Sequence, residues 1–214
     1  MRYQQVFWDF DGTLVDTYPG MVKAFGEALV ACGVNDFEID SEDIYRAMRQ
    51  HSLGTAYQQF TAEYQVDRDR LSKIYEQLAA PLLNETEAFP GVAELLAAVV
   101  TNGGRNFLLT HRNRRALDRL TTLQLDQYFT GYVTKDDDYP RKPDPTSLLA
   151  LCQQYSVDPH TAIMIGDRNL DVAAGHRAGM AGALFDPEHM FVDESQPEIR
   201  VTRMADLQDW LTEK

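Results

Sequence analysis

The chain has 214 residues, is 44% hydrophobic, carries a net charge of −13 and contains two cysteines. A chain of this length and composition can bury a sizeable core, so we expect it to be folded without the help of disulfides. Cys32 and Cys152 are far apart in the sequence and have no cluster of metal-ligand residues near them, which disfavours both a disulfide framework and a zinc site. The negative charge disfavours nucleic acid and anionic membranes, and because no apolar run has signal-peptide or membrane-spanning length, we expect a cytoplasmic protein that binds neither.

The first predicted element is a buried strand from Val6 to Asp9, and a long segment with helical periodicity follows it. Apolar residues recur there at helical intervals, with no strand pattern between them, at Val22, Phe25, Leu29, Ile44, Met48, Leu53, Tyr57 and Phe60. Pro81 and Phe89-Pro90-Gly91 punctuate the chain where it would return to a sheet. The sequence therefore predicts a helical domain, residues 16–82, inserted into a domain made of residues 1–15 and 83–214.

Beyond the insertion, short apolar runs alternate with segments of helical periodicity. The predicted strands are Phe107 to Thr110, Gly131 to Thr134, Ala162 to Asp167 and Gly182 to Phe185. The predicted helices are Val92 to Val100, Arg114 to Leu123, Pro145 to Tyr155 and the segment after Asp167 through Ala178. This alternation is typical of βαβ units. The predicted fold class is α/β: a doubly wound, Rossmann-like parallel sheet with an all-helical domain inserted after its first strand.

Polar side chains follow the ends of several predicted strands. Asp9 ends the first strand, Thr110 the second and Asp167 the fourth, while Lys142 lies just ahead of a predicted helix. The carboxyl ends of parallel strands meet at one edge of a sheet, where helix N-termini also point inward. We therefore expect these residues to share one ligand-binding crevice.

Asp9 and Asp11 are two residues apart, so in extended backbone their carboxylates project to the same side, and Gly12 allows a sharp turn after them. Such a pair can divide its roles, with one acid as nucleophile or metal ligand and the other as proton donor. The alternative is a pair of turn-forming acids at a strand end.

The remaining polar residues supply groups that suit a metal ion and a phosphate. Asp167 and Asp171 can face one Mg²⁺ through carboxylate oxygens, or they could simply interact with a helix dipole. Thr110 and the amides after it could hold phosphate at the start of a helix, or Thr110 could be an N-cap. Lys142, in a loop shaped by Pro143, offers a positive charge, unless it is a surface lysine.

Asp9-Phe-Asp-Gly-Thr13, Thr110, Lys142 with Pro143, and Gly166-Asp167 with Asp171 resemble, in order and spacing, the four motifs of the haloacid dehalogenase superfamily. The resemblance spans the chain, and the insertion is similar to the helical cap of the phosphoglycolate phosphatase and β-phosphoglucomutase branch. It implies an Mg²⁺-dependent phosphatase.

The resemblance also implies a role for each motif residue. Asp9 would attack phosphorus, Asp11 would protonate the leaving oxygen and later activate water, and Thr110 and Lys142 would bind the transferred group. Mg²⁺ would rest on Asp9, the backbone carbonyl of Asp11 and Asp167, with Asp171 in support.

Other functions remain open. Dehalogenases and phosphonate-cleaving relatives lack the second acid of the first motif, so Asp11 disfavours them. The mutase branch carries a hinge histidine where this chain reads Thr17-Tyr-Pro-Gly-Met21, which favours hydrolysis over a phosphomutase of the β-phosphoglucomutase type. A phosphoacceptor signalling module would have its acceptor after a later strand, and a non-catalytic phosphate-binding relative would have lost motif residues.

The expected substrate is a small phosphorylated metabolite, a monoester such as phosphoglycolate or a sugar phosphate. Substrate-binding candidates are Arg46, Arg49, His51 and Ser52 in the insertion, with His111 and Arg112 after the second strand. Each of these could also be an ordinary helix-surface or loop residue. The acidic run from Lys135 to Asp138 is interpreted as a solvated loop with no metal-binding role.

Overall fold

The computed structural model describes residues 1–191 and 194–213. Its strands are β1 (Gln5–Trp8), β2 (Arg105–Leu109), β3 (Phe129–Val133), β4 (Ala162–Gly166), β5 (Ala181–Phe185) and β6 (Ile199–Val201). Its α-helices are α1 (Tyr18–Ala31), α2 (Ser41–Arg46), α3 (Leu53–Tyr64), α4 (Arg68–Leu82), α5 (Val92–Thr101), α6 (Arg115–Thr122), α7 (Thr146–Tyr155), α8 (Asn169–Arg177) and α9 (Met204–Thr212). Among the described residues, no helix has the length and apolar character needed to cross a membrane.

The chain divides into two compact units. One contains residues 1–15 and the described residues from Ala88 onward, and the other contains Asp16–Glu87. The predicted return to the sheet domain was at residue 83. Residues 83–87 instead group with the helices, because Leu83–Glu85 continue from α4 as a 3-10 turn, and Thr86 closes that turn by donating two hydrogen bonds to the Leu83 carbonyl.

The helical unit has a hydrophobic core of its own. The ring of Phe25 lies 5.4 to 5.8 Å from those of Tyr57, Phe60 and Tyr75, which come from two other helices. Residues Asp16 to Glu87, all of which the structure describes, contain no strand. The prediction of an all-helical insertion after the first strand is therefore confirmed.

The sheet is parallel throughout, and its strand order is β3-β2-β1-β4-β5-β6. Successive strand residues face opposite sides. On one side Phe7 and Phe107 stack and belong to a buried cluster with Leu148 and Leu151 of α7. On the other side Trp8 donates to the buried Asn106 side chain, which in turn donates to a carbonyl of α5. Helices thus cover both faces, as a doubly wound sheet requires.

This strand order is that of a Rossmann-like fold, so the α/β prediction is confirmed. The chain runs outward from β1 through β2 to β3 and then crosses back to β4, which makes the ends of β1 and β4 the switch point where ligands of such folds bind. The sequence did not predict β6 or α9. A three-residue strand is too short to show an alternating pattern.

Candidate active site

Asp9 and Asp167 lie side by side at the switch point of the sheet. β1 and β4 pair directly, with Trp8 opposite Ile165, and the Asp9 amide donates to the Ile165 carbonyl at 2.9 Å. Asp9 follows the last residue of β1, and Asp167 follows the last residue of β4. The parallel register therefore brings together two carboxylates that are far apart in sequence.

Asp171 joins them from the first turn of α8. Its Oδ2 accepts a hydrogen bond from the Arg168 amide at 3.1 Å, which holds the carboxylate back toward the end of β4. A Cβ atom on Gly166 would lie 2.2 Å from the Cβ of Asp171, so only glycine fits there. Asp9, Asp167 and Asp171 are buried, and each offers an oxygen within 4.8 Å of the others.

Lys142 places its ammonium among these acids. Its Nζ lies 2.7 Å from Asp9 Oδ1 and 2.7 Å from Asp171 Oδ1, and it donates to the Leu109 carbonyl at 3.2 Å. An ammonium has three N–H donors, so these contacts can use all of them. Burial by itself would lower the pKa of Lys142, but Asp171 and Asp9 raise it, so the side chain is charged.

The site carries more negative than positive charge, which fits a divalent cation. The pKa of Asp9 is raised to about 6, mainly by burial and also by the charge of Asp171, while Lys142 and Arg168 oppose the shift. Three buried carboxylates face one buried ammonium. Carboxylate oxygens are hard ligands of the kind that Mg²⁺ prefers, so the residues present fit that ion.

Asp11 makes a different contact from the other acids. Its Oδ1 accepts from Arg112 Nη2 at 2.6 Å and from Arg112 Nε at 3.0 Å, and both side chains are about four-fifths buried. Gly12 has φ of 73°, which supports the sharp turn predicted after Asp11. The Asp11 carboxylate is therefore engaged by a cation from the loop after β2.

That loop differs from its prediction in one respect. Both alternatives given for Thr110 placed it at the start of a helix, but α6, which was predicted from Arg114, begins at Arg115. The Thr110 hydroxyl instead accepts from the Arg112 amide at 3.1 Å, which forms a local turn directly after the strand. Thr110 is buried next to the end of β1, although it is not a helix cap.

His111 of the same loop contacts Lys142. Its Nε2 accepts the backbone amide of Lys142 at 2.9 Å. The pKa of His111 is lowered to about 2, mainly by burial and also by the charges of Lys142, Arg141 and Arg168. The imidazole is therefore neutral, and because Nε2 accepts, the proton is on Nδ1.

A family model described as haloacid dehalogenase-like hydrolase matches residues 6–185, which is most of the chain. The chain belongs to the haloacid dehalogenase-like hydrolases. The resemblance seen in the motifs is thus confirmed across both the sheet and the insertion.

Several relatives of this haloacid dehalogenase-like hydrolase are close enough to compare. A phosphoglycolate phosphatase of Nitrosospira multiformis is 30% identical over 179 residues, which cover 81% of this chain and 79% of that protein. The structure of a hydrolase from Streptococcus pneumoniae aligns with a TM-score of 0.67 at 30% identity over 99% of both chains. A second S. pneumoniae structure, a haloacid dehalogenase-like hydrolase, has a TM-score of 0.83 at 20% identity over 99% of both chains and shows the fold alone.

The sheet unit of this hydrolase brings together most of the predicted site residues. The contacts described above link Asp9, Asp11, Thr110, His111, Arg112, Lys142, Asp167 and Asp171 into connected groups. Arg49 lies in the helical unit, buried in a π-helical turn, with its guanidinium over the rings of Tyr18 and Tyr45. Its role in substrate binding stays a prediction.

Two contributors to the site were not predicted. The Leu109 carbonyl accepts from Lys142, and the Arg168 side chain approaches Asp167, with Nε 3.8 Å from Oδ1. A backbone acceptor has no residue-type signature. The only signal for Arg168 was its place directly after Asp167.

The acidic run at Lys135 to Asp138 includes a 3-10 turn in which Asp137 accepts from Thr134, and these acids are not among the buried trio.

Proposed function

We propose that this hydrolase is an Mg²⁺-dependent phosphatase that cleaves small phosphate monoesters through a phosphoryl group carried on Asp9. The observation that carries the proposal is the meeting of Asp9, Lys142 and two further buried carboxylates at the switch point of the sheet. The phosphoglycolate phosphatase named among its relatives supports the same reaction class.

Asp9 and Asp167 would hold the metal, with the backbone carbonyl of Asp11 as a further ligand and Asp171 in support. When bound, Mg²⁺ neutralises charge on the phosphoryl oxygens and orients them for in-line attack. The ion would also offset the excess of buried carboxylates. This ligand set combines the geometry of the acidic trio with the resemblance of the motifs.

In the first half-reaction Asp9 acts as the nucleophile. Lys142 contacts Oδ1 of Asp9, so we assign the attack to Oδ2. A bond forms from Oδ2 to phosphorus while the bond from phosphorus to the ester oxygen breaks. Asp11 is a carboxylate in its ion pair with Arg112, so it takes up a proton from solvent before this step and gives that proton to the ester oxygen as the alcohol leaves. Lys142 and Thr110 stabilise the phosphoryl oxygens by charge and hydrogen bonding.

In the second half-reaction water replaces the aspartyl oxygen. Asp11, now a carboxylate, takes a proton from the attacking water, and the bond between phosphorus and Asp9 breaks to release inorganic phosphate. The same acid thus serves both steps, which returns the site to its starting protonation. Hydrolysis is favoured over phosphoryl transfer to a sugar because residues 17–21 contain no histidine.

The proposed substrates are small monoesters of the phosphoglycolate or sugar-phosphate type. The purified protein is incubated with a panel of such esters and with p-nitrophenyl phosphate, with Mg²⁺ or with EDTA, and phosphate release is measured. We expect Mg²⁺-dependent release from several esters and a preference for one class.

Asp9→Asn provides the matched variant, because it is nearly isosteric but removes the nucleophile. We expect it to abolish turnover while circular dichroism stays unchanged. An acid quench during turnover should trap a phosphoryl group on the wild-type peptide that contains Asp9. Retained activity in Asp9→Asn, or no release from any ester with Mg²⁺, would contradict the proposal.

A further inference from the structure

The hydrogen bond between His111 and Lys142 joins two loops that enter the site separately. The residues are 31 positions apart, one just after β2 and the other just before α7, and the Lys142 amide donates to His111 Nε2 at 2.9 Å. Within the described part of the chain, this is the hydrogen bond that the His111 ring makes. This hydrogen bond therefore connects the end of β2 to the loop that carries the buried Lys142.

Lys142 is held at both ends as a result. Its ammonium is fixed by Asp9, Asp171 and the Leu109 carbonyl, and its backbone amide is fixed by His111. A long side chain places its terminal charge accurately only when its backbone is also fixed. The hydrogen bond from the Lys142 amide to His111 therefore affects the position of the ammonium when a phosphoryl group binds.

We propose that His111 is a positioning residue, whose neutral imidazole accepts the Lys142 amide through Nε2 and thereby sets the position of the phosphoryl-binding ammonium. The inference rests on the proposed function, and it assigns His111 a role toward Lys142 in place of direct substrate binding through Nε2. The low pKa of His111 supports it, because a protonated ring could not accept this hydrogen bond.

Three substitutions of His111 differ in whether the new side chain can accept a hydrogen bond from the Lys142 amide. Glutamine can place its amide oxygen near the position of Nε2 and so can accept the Lys142 amide. Asparagine is equally polar but reaches only as far as Nδ1, and phenylalanine fills the space without an acceptor. If His111→Phe fails to fold, the His111→Gln and His111→Asn pair still decides the question.

Two measurements are made on the full-length protein. The first is hydrogen exchange of the Lys142 amide by NMR, which is independent of turnover. The second is steady-state kinetics on p-nitrophenyl phosphate with Mg²⁺, together with inhibition by inorganic phosphate. Loss of a hydrogen bond that leaves a partly buried amide unsatisfied predicts a fall in kcat of about 10-fold and a comparable weakening of phosphate inhibition.

We expect His111→Asn and His111→Phe to show faster Lys142 exchange and the lower kcat, while His111→Gln restores exchange protection and stays within about 3-fold of wild type. Equal impairment of Gln and Asn variants, or unchanged Lys142 exchange in the Phe variant, would overturn the inference. If the wild type hydrolyses no ester, the proposed function is wrong. The role of His111 is then still tested by two measurements that need no turnover: exchange of the Lys142 amide and the affinity for inorganic phosphate.

Discussion

Arg112 and Asp11 form a two-pronged ion pair, with Nη2 and Nε of the guanidinium 2.6 and 3.0 Å from one carboxylate oxygen and Nε 3.2 Å from the other. The pair joins the turn after β1 to the loop after β2. Arginine presents its donors in a rigid plane, so it fixes the direction of a carboxylate as well as attracting it. The proton-transfer residue of the proposed mechanism is thus oriented from a neighbouring strand.

The first prediction concerns this orientation. Arg112→Met should slow hydrolysis of an alkyl phosphate about 10-fold more than hydrolysis of p-nitrophenyl phosphate, because only the alkoxide needs a proton to leave. Arg112→Lys should fall between, since an ammonium lacks the planar geometry. The measurement is kcat for both substrates. Arg115→Met, at an exposed arginine three residues away, is the control.

A contrasting result for Arg112 is also informative. If Arg112→Met raised KM for both substrates and left kcat unchanged, the side chain would bind substrate directly, as the sequence suggested, and would not orient Asp11. Equal losses of kcat on both substrates would argue against a role in proton transfer.

The second prediction concerns the buried charge of Lys142. Lys142→Met should abolish turnover and lower the free energy of unfolding by about 3 kcal/mol without Mg²⁺, because it leaves Asp9 and Asp171 facing each other without their cation. Added Mg²⁺ should recover part of that loss. Urea unfolding with and without Mg²⁺ measures both effects, and Lys135→Met at an exposed lysine serves as control. An unchanged unfolding curve for Lys142→Met would contradict the ion-pair network.

The third prediction concerns the metal site. Mg²⁺ at about 100 times its dissociation constant should stabilise the wild type by roughly 2.7 kcal/mol, seen as a rise in melting temperature. Asp167→Asn should lose most of this rise because it removes a ligand of the buried trio. Asp138→Asn should keep it, since Asp138 is exposed and has left-handed backbone that asparagine also tolerates. Equal loss in both variants would place the ion elsewhere.

The fourth prediction concerns the pH dependence of stability. His111 is neutral in the folded protein down to about pH 2, whereas in the unfolded chain it protonates below its ordinary pKa of 6.5. The unfolded state therefore takes up a proton that the folded state does not, so stability is lost as pH falls below about 6.5, by roughly 2 kcal/mol at about pH 5. The groups whose charges oppose protonation of the folded ring are Lys142, Arg141 and Arg168.

The measurement is urea unfolding of metal-free protein at about pH 5 and at about pH 8. His111→Gln should show a smaller loss of stability between the two values, because glutamine does not titrate. The same pH dependence in both proteins would mean that His111 is protonated in the folded state as well.

Several site residues could be predicted because the polar side chains follow the ends of strands, and the topology of this fold places those ends together. Asp9, Thr110 and Asp167 each follow an apolar strand, and parallel strands end at one edge, so their proximity follows from the pattern. The contacts of Arg112 and His111 could not be predicted in the same way. Both were candidates for substrate binding or ordinary loop residues, since a lone loop residue shows no sign of its partner until the register of the strands is known.

The alternation of strands and helices was enough to predict the α/β fold, and strand-end carboxylates and a loop lysine were enough to name the candidate site residues, because each is a local pattern. The phosphatase reaction was predicted from the family that these motifs resemble. Which charges meet became known from the three-dimensional contacts: Lys142 lies between Asp9 and Asp171, Arg112 pairs with Asp11, and His111 accepts the Lys142 amide. The physical reason is that ion pairs and hydrogen bonds act over a few ångströms, and such distances between remote residues are set by strand register and packing.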